Sequence, residues 1–140
     1  MHRRVLEDKL ARLLECAAFL DAHLPQDAAD LAADEVLLAA CERKLTLLVE
    51  YACDICSTLV SEAGNAVGES YAAVFRRAWQ IAFIDQETQI VLERLVRVRN
   101  QLVHAYETVL AETTHERCRE SISVAKDLGG ALTRWFEASR

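Results

Sequence analysis

The chain has 140 residues, of which 52% are hydrophobic and 27% charged, with one Pro, four Gly and a net charge of −6. This length suits a single domain across residues 1–140, and the scarcity of helix breakers predicts an all-α protein. The acidic balance argues against a general nucleic-acid binder, and the lack of any run of roughly 18 apolar residues argues against a membrane protein.

The first predicted helix runs from about Arg3 to His23, where apolar residues recur in steps of three and four. Pro25 ends it, because the residue before a proline avoids the α region. Residues 25–33 are then a link with room for one helical turn. Because an amphipathic pattern begins directly after the first residues, we expect no signal peptide.

The second predicted helix begins near Asp34, a suitable N-cap, and ends at Gly64-Asn65, a good C-terminal signal. Its apolar row consists of Leu38, Cys41, Leu45, Leu48, Ala52, Ile55 and Leu59. A helix of this length, roughly 45 Å, usually packs against a neighbour along its whole length.

Cys53-x-x-Cys56 lies inside this second helix and has two interpretations. The spacing suits a metal or redox site, but a zinc site needs four ligands and no second Cys or His pair is near in sequence. Both cysteines also continue an apolar row with Val49 and Val60, which favours two small buried hydrophobic residues and no metal. Five cysteines, an odd number, suit a reducing compartment, so we expect a cytoplasmic protein.

Three further helices are predicted. Ser70 caps a short one from Tyr71 to about Gln80, and Asp85 caps a longer one that ends near Tyr106. Thr113-x-x-Glu116 is predicted to form a capping box for the last helix. The predicted fold is an all-α, up-and-down bundle of four main helices plus a short helix.

Other polar residues give weaker signals. His2, His23 and His115 have no partners at helical spacing and are expected at the surface. Asp54 lies on the flank of the second helix after Leu47 and Tyr51, where a boundary salt bridge is the simplest role.

The clearest functional signal is the stretch 97–106, which reads Arg-Val-Arg-Asn-Gln-Leu-Val-His-Ala-Tyr. Arg99 replaces an aliphatic residue on one face of a predicted helix, which is formed by Leu92, Val96, Arg99, Val103 and Tyr106. Asn100 and His104 lie together on the neighbouring row. Because a buried charge is costly unless it is paired, this placement needs a reason.

Two explanations fit these residues. Taken singly, Arg99 could pair with an acid on another helix, His104 could cap a carbonyl, and Tyr106 could anchor the helix end. Taken together, they suit phosphate chemistry, since a guanidinium offers fork-shaped donors to a phosphate and an imidazole moves protons near neutral pH.

The string Arg99-Asn100-x-x-x-His104-x-Tyr106 resembles the Arg-x4-His-x-Tyr motif of the HepT toxins in the HEPN superfamily, where a polar residue usually follows the arginine. The resemblance covers the helical layout from about residue 34 onward. It implies a HEPN-like fold, a dimer with a composite site, and a minimal nucleotidyltransferase antitoxin that transfers AMP to Tyr106, as in type VII-like toxin–antitoxin systems. Because an acid is common in the family at this point of the second helix, it also implies that Asp54 could hold Arg99 or His104 in place.

RNA carries its own nucleophile, the 2′-hydroxyl, so these residues could cleave it without a metal or cofactor. His104 is the natural proton carrier, Arg99 stabilises charge on the phosphate, and Asn100 orients His104 or binds phosphate. Such cleavage leaves a 2′,3′-cyclic phosphate. The resemblance makes tRNA a candidate substrate.

The spacing of the motif favours a site made by two chains. On a straight helix Arg99 and His104 point about 140° apart, since each residue turns about 100°. We therefore expect a homodimer, in which Arg94 and Arg97 add a basic patch for RNA. An AMP on Tyr106 would place a bulky anion beside Arg99 and compete with RNA.

A second function class stays open, which is a non-catalytic helical dimer that binds a nucleotidyltransferase or presents substrate to it. The motif would then be a phosphate or nucleotide dock. A catalytic domain must cleave RNA without added nucleotide or metal, whereas a docking module would only bind it.

Overall fold

A computed structural model describes residues 3–104 and 108–139 of the chain. Within these residues there are six helices and no strand: α1 (Arg3–His23), α2 (Ala28–Ala33), α3 (Glu35–Glu62), α4 (Tyr71–Gln80), α5 (Gln86–His104) and α6 (Ala111–Ala138). The predicted all-α bundle is confirmed, with α1, α3, α5 and α6 as the long helices and α4 as the short one. The link before α3 holds a further short helix, α2. None of the described helices has the length and apolar composition that crossing a membrane requires.

Side-chain caps fix where three of the helices begin, as the sequence predicted. Asp34, Ser70 and Asp85 each accept a hydrogen bond from the backbone N–H three residues on, at 3.0, 3.1 and 2.8 Å. Each bond satisfies a donor that the first helical turn leaves unpaired. Local chemistry therefore sets the starts of α3, α4 and α5.

The predicted capping box of the last helix is wrong. α6 begins at Ala111, its N-cap Leu110 makes no side-chain cap, and Thr113 and Glu116 lie inside the helix. Ala111 and Glu112 are strong helix formers, so the helix extends two residues upstream of the Thr that could have capped it.

Helices α3 and α4 end in the same left-handed turn with different residues. Gly64 follows the end of α3 at φ +80°, and Ala82 follows the end of α4 at φ +62°. In both turns the next N–H bonds back to the carbonyl five residues earlier, at 3.2 and 3.0 Å. Because this conformation is disfavoured for L-residues by about 1–2 kcal/mol, the turn at Ala82 is strained where the turn at Gly64 is not.

Helix α3 is the centre of the core and contacts all five other helices. It buries the following residues: Cys41, Leu45, Thr46, Leu48, Val49, Ala52, Cys53, Ile55, Cys56, Leu59 and Val60. Its length and its apolar row are as predicted. Because every neighbour packs on it, a polar residue on the flank of α3 can reach side chains from several helices.

His115 is buried, contrary to the surface position expected from the sequence. It is 5% exposed, and its Nε2 lies 2.6 Å from the carbonyl oxygen of Pro25. Arg119, one turn later, donates to the carbonyl of Gln26 at 3.3 Å. These two contacts attach α6 to the link after α1, and no spacing rule connects residues so far apart in sequence.

Candidate active site

Apolar side chains fix the position of α5, the helix that carries the motif. It packs against α3, α4 and α6. The aliphatic residues that it buries are Leu92, Leu95, Val96 and Val98. Arg99 follows directly, so its side chain begins at the edge of the core and must find partners there.

Side chains from three helices surround Arg99. Its Nη2 lies 3.3 Å from the carboxylate of Glu50 on α3 and 3.5 Å from the hydroxyl of Tyr71 on α4, and its Nη1 donates to Asn100 Oδ1 at 3.1 Å. The guanidinium carbon also lies 4.6 Å from the centre of the Tyr71 ring, a cation–π contact. We call Glu50, Tyr71, Arg99 and Asn100 the Arg99 cluster.

Arg99 is partly buried within the cluster, and its neighbours do not satisfy the guanidinium. The side chain of Arg99 is 17% exposed and that of Glu50 is 34% exposed. Arg99 Nε is buried and has no hydrogen-bond partner among the described residues. Arginine has five N–H donors, so the cluster leaves a buried cation short of acceptors. An incoming phosphate would supply strong, charge-assisted acceptors to the two Nη groups.

Tyr71 contributes both a ring and a neutral hydroxyl to the cluster. Burial raises the pKa of its phenol, and the positive charge of Arg99 opposes that rise. The hydroxyl therefore stays protonated at neutral pH and accepts a hydrogen bond through a lone pair. Tyr71 is the first residue of α4, so the cap at Ser70 places it.

The acid that contacts Arg99 is Glu50, not Asp54. Asp54 pairs instead with Lys9 of α1, with Nζ and Oδ2 3.1 Å apart. Residues four apart share a helical face but lie about 6 Å apart along the axis. Of the expectation that Asp54 would hold Arg99 or His104, the Arg99 part is corrected: the carboxylate beside Arg99 lies on the same flank of α3 but one turn earlier.

Glu50 and Tyr71 are the two members of the cluster that sequence reasoning missed. Glu50 could have been found from the sequence, because it is the single charged residue between Lys44 and Asp54 in a mostly apolar stretch. Tyr71 could not, because its contact with α5 depends on how α4 packs.

The remaining motif residues lie in different surroundings. Arg97 and His104 are exposed, with His104 in the last turn of α5. Arg94 donates from Nη2 and Nε to Glu120 of α6, at 2.7 and 3.1 Å. A phosphate would have to compete with Glu120 for Arg94. Tyr106, the predicted AMP acceptor, lies outside the described residues.

Cys53 and Cys56 are both buried and free, which confirms the apolar interpretation of the Cys-x-x-Cys pattern. Burial raises the pKa of Cys53 to about 11 and also raises that of Cys56. Protonated, buried thiols are poor nucleophiles and poor metal ligands. Within residues 3–104 and 108–139, no group of three or more His, Cys, Asp or Glu side chains is placed to hold a metal ion.

A separate groove of about 850 Å³ lies between the α4–α5 turn and α6. Trp79 and Phe83 line it together with side chains of both charges, among them Asp85, Lys126 and Arg134. No residue of the Arg99 cluster and no motif residue lines this groove. The candidate site is therefore the cluster and not this groove.

Comparisons with known proteins bear on this site. A family model described as "Ribonuclease HepT-like" matches residues 13–128, a range that includes Arg99, Asn100 and His104. No curated protein matches the chain. Among solved structures it is similar to YutE, a cytosolic protein of unknown function from Bacillus subtilis, with a TM-score of 0.85 and 16% identity over 99% of this chain and 93% of that one. That likeness shows the fold alone, but the family match spans most of the chain, and the chain therefore belongs to the HepT-like ribonuclease family.

Proposed function

We propose that the protein is a metal-independent endoribonuclease, the toxin of a type VII-like HEPN/minimal nucleotidyltransferase toxin–antitoxin system, working in the cytoplasm as a single domain. The observation that carries the proposal is the partly buried Arg99 guanidinium, which is short of acceptors among the described residues and is followed five residues later by an exposed imidazole, His104. Membership of a ribonuclease family supports it.

The proposed chemistry uses the 2′-hydroxyl of RNA as the nucleophile. His104 takes the proton from this hydroxyl, whose oxygen bonds to phosphorus as the bond to the 5′-oxygen breaks. A second imidazole gives a proton to the leaving 5′-oxygen, and Arg99 donates hydrogen bonds to the phosphate oxygens as their negative charge grows. The products are a 2′,3′-cyclic phosphate and a 5′-hydroxyl, and the balance needs no cofactor. Asn100 supports the site through its bond to Arg99.

A homodimer would supply the second imidazole. Val103, within the motif, and Leu110, four residues after Tyr106, are 46% and 66% exposed, and exposed apolar side chains at a site suit an interface. Light scattering should give twice the chain mass of 15.7 kDa. A monomer at micromolar concentration would contradict the composite site.

The proposed RNA contact outside the cluster is Arg97, which is exposed on α5. Arg94 contributes only if RNA displaces Glu120. We propose tRNA as the substrate class to test first.

The proposed control is AMP transfer to Tyr106 by a minimal nucleotidyltransferase antitoxin. An AMP on Tyr106, seven residues after Arg99, would add a negative charge that competes with RNA phosphate. Intact mass spectrometry after co-expression should show added AMP that maps to Tyr106. Tyr106→Phe should still cleave RNA and escape inactivation, and complete neutralisation of this variant would assign control to the protein–protein contact.

The central test is cleavage of RNA in EDTA by the wild type and by the variants Arg99→Ala and His104→Ala. Loss of a charge stabiliser or a proton carrier costs roughly a hundredfold or more, while circular dichroism should show unchanged helical content. Cleavage by a folded double variant would refute the assignment. RNA binding without cleavage by the folded wild type would favour the non-catalytic helical dimer.

A further inference from the structure

Two of the three nitrogens of the Arg99 guanidinium, Nη1 and Nη2, already make contacts before any RNA arrives. Its Nη2 lies 3.3 Å from Glu50 and its Nη1 donates to Asn100. Its Nε is buried, so the two Nη groups are the ones that a phosphate can approach. A phosphate that binds the guanidinium through both Nη groups therefore competes with the Glu50 carboxylate at Nη2.

The ion pair between Arg99 and Glu50 is loose. Charge-assisted bonds of this type are usually about 2.7–2.9 Å long, and the pair between Arg94 and Glu120 reaches 2.7 Å. The carboxylate of Glu50 belongs to a side chain that is 34% exposed, so it can turn toward water. An anion with two or three acceptor oxygens would replace it at little cost.

Tyr71 contacts Arg99 mainly through its ring, and this contact does not use the N–H donors that a phosphate would bind. The ring lies against the guanidinium, with 4.6 Å between the guanidinium carbon and the ring centre. Its hydroxyl is neutral at neutral pH, because the ordinary pKa of a tyrosine phenol is about 10 and burial raises the pKa of this one further. Tyr71 can therefore keep its contact with Arg99 when Glu50 leaves, and it adds no charge that repels a phosphate.

We propose that Glu50 is a resident counter-ion that an RNA phosphate oxygen displaces from Arg99, and that Tyr71 is a positioning residue that keeps the guanidinium in place during this exchange. The inference rests on the proposed function, since it concerns the same site. It assigns the two residues opposite effects. Glu50 opposes RNA binding, and Tyr71 supports the cleavage step.

The test of Glu50 is Glu50→Gln, which keeps the shape and the acceptor oxygen but removes the charge. We expect the KM for RNA cleavage and the Kd for an uncleavable 2′-deoxy oligonucleotide to fall roughly threefold or more, an effect of the size of one exposed charge pair. The matched control is Glu93→Gln, since Glu93 also pairs with an arginine of a neighbouring helix, Arg76, at 2.9 Å. An unchanged or higher Kd in Glu50→Gln would overturn the proposal for Glu50.

The test of Tyr71 compares Tyr71→Phe with Tyr71→Leu. The phenylalanine keeps the ring and should retain kcat within about twofold, whereas the leucine removes the cation–π contact and should lower kcat roughly tenfold with little change in KM. The control is Tyr51→Leu, because Tyr51 is half-buried with a cation, Lys9, 5.8 Å from its ring. Equal losses in the two leucine variants, or no rescue by Tyr71→Phe, would reduce Tyr71 to a packing residue.

A measurement on the wild type covers the case in which a variant does not fold. The guanidinium resonances of Arg99 in nitrogen-15 NMR should shift when the uncleavable oligonucleotide is added, and unchanged resonances would refute the exchange. Wild type that binds RNA without cleaving it would refute the proposed ribonuclease, while the Kd of Glu50→Gln would still decide the exchange. Wild type that neither binds nor cleaves RNA would refute both.

Discussion

Arg94 and Arg99 lie five positions apart on α5, and the structure holds them in opposite ways. Arg94 makes two bonds to Glu120, and its side chain is 41% exposed. Arg99 makes one longer ion pair, has a buried Nε without a partner among the described residues, and is 17% exposed. The better-paired arginine is thus the more exposed one. Stability alone would favour the reverse, because burial increases the cost of an unsatisfied charge.

The difference divides α5 into two functional parts. Its first half is attached to α6 by a satisfied ion pair, which Arg117 extends through its own contact with Glu120. Its last turns keep a cation, Arg99, whose donors are only partly used by the described residues. The first half therefore contributes to stability, and under the proposed function the last turns bind RNA.

The largest expected effect comes from replacing Arg99 with a cation of another shape. Lysine keeps the charge but loses the planar fork and the stacking on Tyr71, so Arg99→Lys should lower kcat roughly a hundredfold. Arg76→Lys, in the exposed pair with Glu93, is the matched control and should leave the rate nearly unchanged. Single-turnover RNA cleavage measures both variants. Equal rates would show that Arg99 matters no more for cleavage than an arginine in an exposed ion pair.

The next effect is on the satisfied half of α5. Glu120→Gln removes the charge that holds Arg94 and Arg117, so the free energy of unfolding should fall by about 2 kcal/mol. RNA cleavage well below the unfolding temperature should persist, because Glu120 makes no contact with the Arg99 cluster. Urea denaturation measures the expected loss of stability, and a cleavage assay measures the expected retention of activity. A loss of activity without a loss of stability would mean that the two ends of α5 are coupled.

A smaller effect is expected at the turn before α5. Ala82 adopts φ +62°, so Ala82→Gly should increase the free energy of unfolding by about 1 kcal/mol. The reverse change at the equivalent turn, Gly64→Ala, should decrease it by a similar amount. Neither should alter cleavage. A destabilised Ala82→Gly protein would show that the alanine methyl makes contacts that outweigh its backbone strain.

The smallest effect concerns pH and the cap of α5. The hydrogen bond from the Thr88 backbone N–H lowers the pKa of the Asp85 carboxyl below its ordinary value. A group with a lowered pKa in the folded state adds stability above the pKa of the unfolded state, near pH 4, and that stability disappears as the pH falls toward the folded value. Asp85→Asn keeps a capping oxygen, so it should flatten the decline of stability below about pH 4. An unchanged pH profile would contradict this role.

Features that depend on near neighbours in sequence were predictable. The bounds of α1 and α4 follow from Pro25 and Ser70, and the helical face that carries Arg99 follows from spacing within α5. Features that depend on packing were not. The contacts of Arg99 with Glu50 and Tyr71 require the relative positions of three helices.

The buried, free cysteines can report local unfolding of the regions that surround them. Cys53, on the turn of α3 after Glu50, and Cys118, on α6, are both buried, and burial raises their pKa values to about 11 and about 12. A labelling reagent can therefore reach either thiol only when its surroundings open, and regions of unequal stability open at unequal rates. Labelling at Cys53 would follow local excursions beside Arg99, and labelling at Cys118 would follow those of the α6 side of the core. Labelling rates at these two native cysteines would therefore compare the opening of the region beside Arg99 with that of the α6 side of the core, without an introduced probe.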